Sequence, residues 1–417
     1  MHIAIIGAGA AGCFAAISLK RFNPGAEVTV YESGNRPLAK VAITGGGRCN
    51  LTNSFGDVKS IAAVYPRGER LMKRLLQEFS HSDAYEWFER EGVKLVTQAD
   101  NCVFPQSQNA MEIVDTLTRL MTRHGVNVKT RHRVKEVEKY LSGACSPELD
   151  GNGFRISFND DNIASVHADK VIVTTGGSPR RSGLGMLGRM SLDIVEPVPS
   201  LFGLTVPNHP ITELTGTVVE DVVVSLVGTK HRASGALLIT HWGMSGPAIL
   251  RLSSYAARTL HQSDYKTNIA VNWFGDQNEA EVTGRISAIA MENPQKMIAS
   301  SYPRHLNSRL WRNILEQSGI NPEQRWAELS RKSYNRLVST LTNSQYLVGG
   351  KNRFKEEFVT CGGVALGNVD PRTLECRTCP GLYFAGEVLD VDAVTGGFNL
   401  QAAWTMGYVA ARAAAVG

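Results

Sequence analysis

The chain lacks a charge excess of either sign. Its 417 residues carry 44 lysines and arginines against 39 acids, for a net charge of +5. No long block of like charge breaks that mixture, so a nucleic-acid partner has little support. A weak preference for anionic ligands is the most this balance implies. Long apolar runs are also missing; none approaches the roughly 18 residues that a membrane-spanning helix needs. The seven cysteines, at 13, 49, 102, 145, 361, 376 and 379, are odd in number and scattered. That excludes a secreted disulfide framework. No basic leader or cleavage site precedes the first strand, His2 to Ile6. These absences predict a reducing, cytoplasmic setting. No repeat and no low-complexity tract is visible, and nothing sets an oligomeric state. What remains is an ordinary globular composition, 43% hydrophobic and 20% charged, in a chain too long for one compact domain.

The first strand runs directly into Gly7-Ala8-Gly9-Ala10-Ala11-Gly12, and Ala15, Ala16, Ile17 and Leu19 continue a helical apolar face. A second strand, Glu27 to Tyr31, ends at Glu32. Each glycine has a chemical reason. Gly7 permits a tight turn, Gly9 lets the backbone approach a pyrophosphate, and Gly12 packs helix on strand. Ala10 and Ala11 open the helix, whose positive end faces the phosphates. Glu32 lies 20 residues beyond Gly12, where a carboxylate bonds ribose hydroxyls. A carboxylate there disfavours a 2′-phosphate. This fingerprint predicts a dinucleotide but does not separate FAD from NAD.

Three further stretches lean to FAD. Gly45-Gly46-Gly47-Arg48-Cys49-Asn50 leaves backbone N–H groups free to approach a flat ligand or phosphate. Lys170-Val-Ile-Val-Thr-Thr-Gly176-Gly177 reads as a strand returning the chain to the nucleotide domain. The run Gly381 to Asp392, with Ala385-Gly386-Glu387 inside it, is an apolar strand ending in an acid. Thr395-Gly396-Gly397-Phe398-Asn399-Leu400-Gln401 follows and opens a small-residue helix. The strand ending in Ala385-Gly386-Glu387 resembles the late FAD motif of the glutathione-reductase-like superfamily, which implies that the N-terminus of the helix near Asn399 stabilises negative charge on a reduced flavin.

With these blocks the sequence resembles the aminoacetone oxidase/BaiN-like flavoprotein family. Further matching blocks are Thr44 to Asn53, Val103-Phe104-Pro105, His241 to Ala248 and Thr360-Cys361-Gly362-Gly363-Val364. The resemblance spans nearly the whole chain. It implies non-covalent FAD and a discontinuous Rossmann-like domain of the glutathione-reductase type, α/β in class, with an inserted domain. It also implies site residues. Ala11, Glu32, Ser33 and Lys40 hold the adenosine and pyrophosphate, and the Val134 backbone bonds the adenine from a strand Arg133 to Glu138. Arg48 and Asn50 sit near the flavin. Gly386, Glu387, Asp392, Asn399 and Leu400 line its ribityl and ring side. The chain departs from the family pattern at Ser178-Pro179-Arg180-Arg181-Ser182.

Other motifs read as structure. Gly183-Leu-Gly185-Met-Leu-Gly188 repeats the glycine spacing but follows no strand directly, which argues against a second nucleotide domain. NAD(P)H is then expected only as a transient reductant. Cys376 and Cys379 have no partner pair for zinc, so no metal site is expected, and they read as surface thiols. Cys49 reads as a small packed thiol. Ser245 suggests a cap and Pro247 the first turn of a helix.

The expected division is an FAD domain over 1–190 and 349–417, interrupted by a β-barrel plus helical bundle over 191–348. Glu279 to Val348 reads as helical throughout, broken at Pro294, Pro303 and Pro322. A cleft between the two domains is the expected site for a small-molecule substrate. The expected chemistry is hydride transfer between flavin N5 and a small amine or conjugated ketone, with oxygen or NAD(P)H as second substrate. No side chain declares itself as general base. The alternative is a non-catalytic FAD-binding redox sensor or an RNA-associated flavoprotein.

Overall fold

The computed structural model describes residues 1–140, 153–178, 181–352 and 359–416. Cys145, Pro179 and Arg180 lie outside them. The chain divides into two units, one built from Met1–Pro199 with Val359–Gly417 and the other from Ser200–Phe358.

The first unit is organised by a five-stranded sheet. In spatial order its strands are Leu382–Phe384, Lys170–Val173, His2–Ile6, Glu27–Tyr31 and Asn127–Lys129, all pairing in parallel. The near-continuous apolar runs explain the parallel pairing: Ile3, Ile5, Val171 and Ile172 are fully buried, as strands covered on both faces require. Numbered along the chain, the order is 3-2-1-4-5, the doubly wound pattern. The order reverses between His2–Ile6 and Lys170–Val173. Ligands in such sheets bind beyond the C-terminal ends of the strands at that reversal.

Two helices cover one face together. Ala10–Phe22 and Phe398–Ala415 come so close that a Cβ on Gly407 would sit 2.7 Å from the Ala11 carbonyl oxygen. Phe14 packs against Trp87 and Trp404 at ring separations of 4.6 and 5.4 Å. Aromatic pairs of this kind contribute about 0.5–1.5 kcal/mol beyond their buried area. They join the two ends of the chain. A second layer of three strands, Val134–Tyr140, Gly153–Phe158 and Val166–Ala168, is antiparallel.

The second unit contains a seven-stranded antiparallel sheet. Its outer strands, Ser344–Val348 and Gly350–Lys351, are separated in sequence only by Gly349. One kinked stretch therefore pairs with Thr267–Asn272 on one side and Leu204–Thr205 on the other. The stretch 344–351 thus supplies both end strands of the seven-stranded order. Helices Glu279–Glu292, Ser308–Gln317 and Arg331–Thr342 accompany it.

Several sequence expectations need correction. The stretch Ser344–Val348 is a strand, not helix; Ser344, Tyr346 and Val348 are buried and alternate with exposed residues, the period of a half-buried strand. Ile194–Ser200 pairs with Val359–Val364, so the chain leaves the first unit later than residue 190. Ser245 caps nothing: Gly243–Ser245 is a strand, and the helix Pro247–Tyr255 starts after Gly246 at φ 92°. Cys376 and Cys379 are 2% and 5% exposed, so they are packed thiols, not surface ones. Among the described residues no helix is long and apolar enough to cross a membrane.

Candidate functional site

The ends of His2–Ile6, Glu27–Tyr31, Lys170–Val173 and Leu382–Phe384 supply the site. After His2–Ile6 the chain turns at Gly7, whose φ is 105°. A Cβ on Gly7 would lie 2.5 Å from the Thr174 carbonyl oxygen, and one on Gly12 would lie 2.0 Å from that of Gly7. Both positions exclude any side chain. Gly9 differs: nothing in the protein lies within 4 Å of where its Cβ would be. Its open side borders the start of the first helix, where no side chain caps the free N–H groups. Ala10 and Ala11 form that first turn. An uncapped helix start beside an open glycine is a diphosphate cradle.

Glu32 closes this end. One carboxylate oxygen accepts from the Ala8 N–H at 2.8 Å and the other from the Gly34 N–H at 2.6 Å. Each oxygen keeps further acceptor capacity for ribose hydroxyls. Ser33 donates its hydroxyl to Glu32 at 3.2 Å, and both Ser33 and Lys40 are exposed. Val134 opens the antiparallel layer in register with Phe158, and the pairing shifts register between Val134 and Glu136.

The glycine-rich loop follows the helix Ala39–Gly47, which breaks at Thr44 (ψ 149°), Gly45 (φ 60°) and Gly46 (φ 68°). No atom lies within 4 Å of a Cβ built on Gly46 or Gly47. Arg48 lies over the Phe104 ring at 4.5 Å and donates to Gln108 at 3.4 Å. Asn50, with its amide turned to satisfy both neighbours, donates to the Thr52 carbonyl at 3.0 Å and accepts from the Gly397 N–H at 3.2 Å. Thr52 in turn donates to Gln401 at 2.6 Å, and Asn53 to the Gly396 carbonyl at 3.0 Å. The early loop and the last helix are thereby stitched together across more than 300 residues of sequence. Cys49 is fully buried, and burial pushes its thiol up to about 12. It is a neutral packing group, not a thiolate.

The closing half is equally constrained. Gly386 has φ 83° and faces Ala11, where a Cβ would come within 2.9 Å. Glu387 accepts from the Thr360 N–H at 2.6 Å and lies 4.0 Å from Lys40. Gly177 fits beneath that carboxylate; a Cβ there would meet it at 2.3 Å. Gly397, at φ 89°, would collide with the Thr52 carbonyl oxygen at 2.2 Å. It precedes the helix Phe398–Ala415, which has no side-chain cap, so Asn399 and Leu400 present free N–H groups in its first turn. The Asn399 side chain is committed elsewhere, bonded twice to the Ala393 backbone at 2.9 and 3.0 Å. Asp392 also stands apart: its carboxylate is buried and receives the Arg67 guanidinium.

The residues present fit a dinucleotide whose two ends differ. One uncapped helix start and Glu32 would suit a diphosphate and a ribose; a second uncapped helix start and the open glycines Gly46 and Gly47 would suit a flat, electron-accepting ring. FAD has both parts. Thr360, Tyr65 and Arg67 take part in building this site without belonging to any glycine fingerprint. Thr360 opens the block Thr360-Cys361-Gly362-Gly363-Val364, and beside Tyr65 and Arg67 the sequence offers Gly68, held at φ 78° against Val391. Gly183–Gly188, the other glycine repeat, lies in a 3-10 helix over Arg181–Met190 and forms no strand–turn–helix cradle.

The family model described as HI0933-like protein Rossmann domain matches residues 1–413. The 3-dehydro-bile acid delta(4,6)-reductase of Clostridium scindens is 29% identical over 99% of both chains. The ribosomal RNA dihydrouridine synthase of Escherichia coli is 29% identical, covering 98% of this chain and 96% of its own. Among solved structures, an E. coli quinol fumarate reductase chain superposes with a TM-score of 0.50 at 14% identity, over all of this chain and 70% of that one. That likeness shows the fold alone. With the site geometry and a family match across nearly the whole length, this chain belongs to the HI0933-like family of FAD-binding Rossmann proteins and is a flavin-dependent oxidoreductase.

Proposed function

We propose that the chain reduces a carbon–carbon double bond conjugated to a carbonyl, with NAD(P)H as a visiting two-electron donor. The observation that carries this reading is the chemistry shared by two full-length relatives. One is named for reducing double bonds of a 3-dehydro bile acid, the other for making dihydrouridine. In both substrates the bond is polarised by a nearby carbonyl. FAD, when bound, supplies the hydride. The chain's own groups hold and bias it. Gly9, the first helix start and Glu32 would bind the adenosine diphosphate end. The free N–H groups at the start of Phe398–Ala415 would face the pyrimidine edge and favour negative charge there by about 0.3–1 kcal/mol or more when shielded from water. The absence of a second nucleotide cradle among the described residues supports NAD(P)H as a visitor and not a resident.

The uracil ring of an RNA is a second reading, favoured by the match to the dihydrouridine synthase over 98% of this chain. The near balance of 44 basic and 39 acidic residues favours a small molecule. Anaerobic reduction with NADPH or NADH, followed by addition of a conjugated ketone, a uridine-containing RNA or an amine, separates these readings. Reoxidation of reduced flavin by the ketone, with product gaining two hydrogens, is expected. Reoxidation by the RNA alone, with salt-sensitive retention, selects the second reading. Bleaching of oxidised flavin by the amine, with oxygen as acceptor, contradicts both.

A further inference from the structure

The loop from Gly386 to Gly397 carries the flavin half of the site, yet it forms no helix or regular strand of its own. Its shape must come from what grips it. One short segment, Val64 to Gly68, makes every one of the following contacts. The Val394 N–H donates to the Val64 carbonyl at 2.9 Å. The Tyr65 hydroxyl donates to the Phe398 carbonyl at 2.8 Å, in the first turn of the last helix. Arg67 donates through Nε to Asp392 Oδ1 at 2.6 Å, and through a terminal guanidinium nitrogen to Oδ2. Gly68 presses on Val391, where even a Cβ would come within 2.6 Å of a methyl group. The grip therefore spans residues 391 to 398.

The chemistry of the grip is that of a permanent fixture. Tyr65 is fully buried, and burial raises its hydroxyl pKa, so it remains a neutral donor. Burial opposes the Arg67 charge, but the hydrogen bonds and charge of Asp392 outweigh it and raise the guanidinium pKa. The fork-shaped, two-point pairing fixes orientation as well as distance. Asp392 is 1% exposed, so its carboxylate faces the protein.

We infer that Tyr65 and Arg67 are positioning residues for the flavin: Tyr65 acts through the Phe398 carbonyl and Arg67 through Asp392, and together they set how the last helix aims its free N–H groups. This rests on the FAD site and not on the substrate proposed above. A ketone that fails as substrate would leave it untouched. The test uses full-length protein with FAD removed and restored. Tyr65→Phe deletes one hydroxyl and keeps the packed ring; Arg67→Lys keeps the charge and loses the fork. Three quantities are read for each: the melting temperature of the FAD-free protein, the FAD dissociation constant from flavin fluorescence quenching, and the flavin midpoint potential against a reference dye. Expected are a near-normal melting temperature, FAD affinity weakened roughly tenfold for each variant, and a midpoint potential shifted negative. Arg67→Met should lose more affinity than Arg67→Lys, which is the rescue by the conservative change. Wild-type affinity and potential in both Tyr65→Phe and Arg67→Lys would overturn the inference. So would affinity that falls only in step with the melting temperature of the FAD-free protein.

Discussion

The two ends of the nucleotide site are built in opposite ways. The proposed adenosine end rests mainly on one contiguous stretch, His2 to Gly34, in which Gly7 and Gly12 sit against backbone, Gly9 stays open and one carboxylate orients the turn. The flavin end is gathered from residues 45–53, 64–68, 177, 360 and 386–401, joined by hydrogen bonds across the length of the chain. A local motif can bind by itself. A gathered one needs every tether, and so can tune what it holds. The first arrangement suits affinity, and the second suits control of redox chemistry.

That contrast is open to attack. The largest effect is expected at Gly397→Ala, where the new Cβ meets the Thr52 carbonyl and the backbone favours glycine. It should destabilise the first unit by about 3 kcal/mol, seen as a lowered melting temperature even without FAD. An unaltered melting temperature would mean that the early loop and last helix are not locked together. Glu32→Ala should weaken FAD by about 1.5–3 kcal/mol, the loss of charge-assisted hydrogen bonds, with the reduction chemistry of the bound flavin unchanged. Gly9→Ala sharpens the comparison, because its Cβ would meet no protein atom. The FAD-free protein should melt as the wild type does, while FAD affinity falls about tenfold. If affinity is retained, the pyrophosphate does not pass Gly9. The smallest effect is expected at Cys49→Ala: the thiol is buried and neutral, so turnover should be unchanged and stability should fall by about 1 kcal/mol.

The same contrast explains what the sequence discloses. The strand, glycine turn, helix and Glu32 are legible because spacing alone places them. The closing strand Leu382–Phe384 is legible from its apolar run, whereas the order of the sheet is set by pairing in space that no local run announces. Arg67 and Tyr65 are not legible, since their partners lie 325 and 333 residues away and no local pattern announces them. The strand Ser344–Val348 is missed because its alternation is short and follows polar helices. The buried Cys376 and Cys379 are missed because hydrophobic packing of a tight turn leaves no periodic signal.

A chain that assembles an FAD site from its two ends must take up and hold the flavin. The visible absorption spectrum of the purified protein, before and after addition of FAD, tests it most directly. A yellow flavoprotein is expected, or an apoprotein that becomes one with FAD retained through gel filtration. A protein that stays colourless after reconstitution would contradict it.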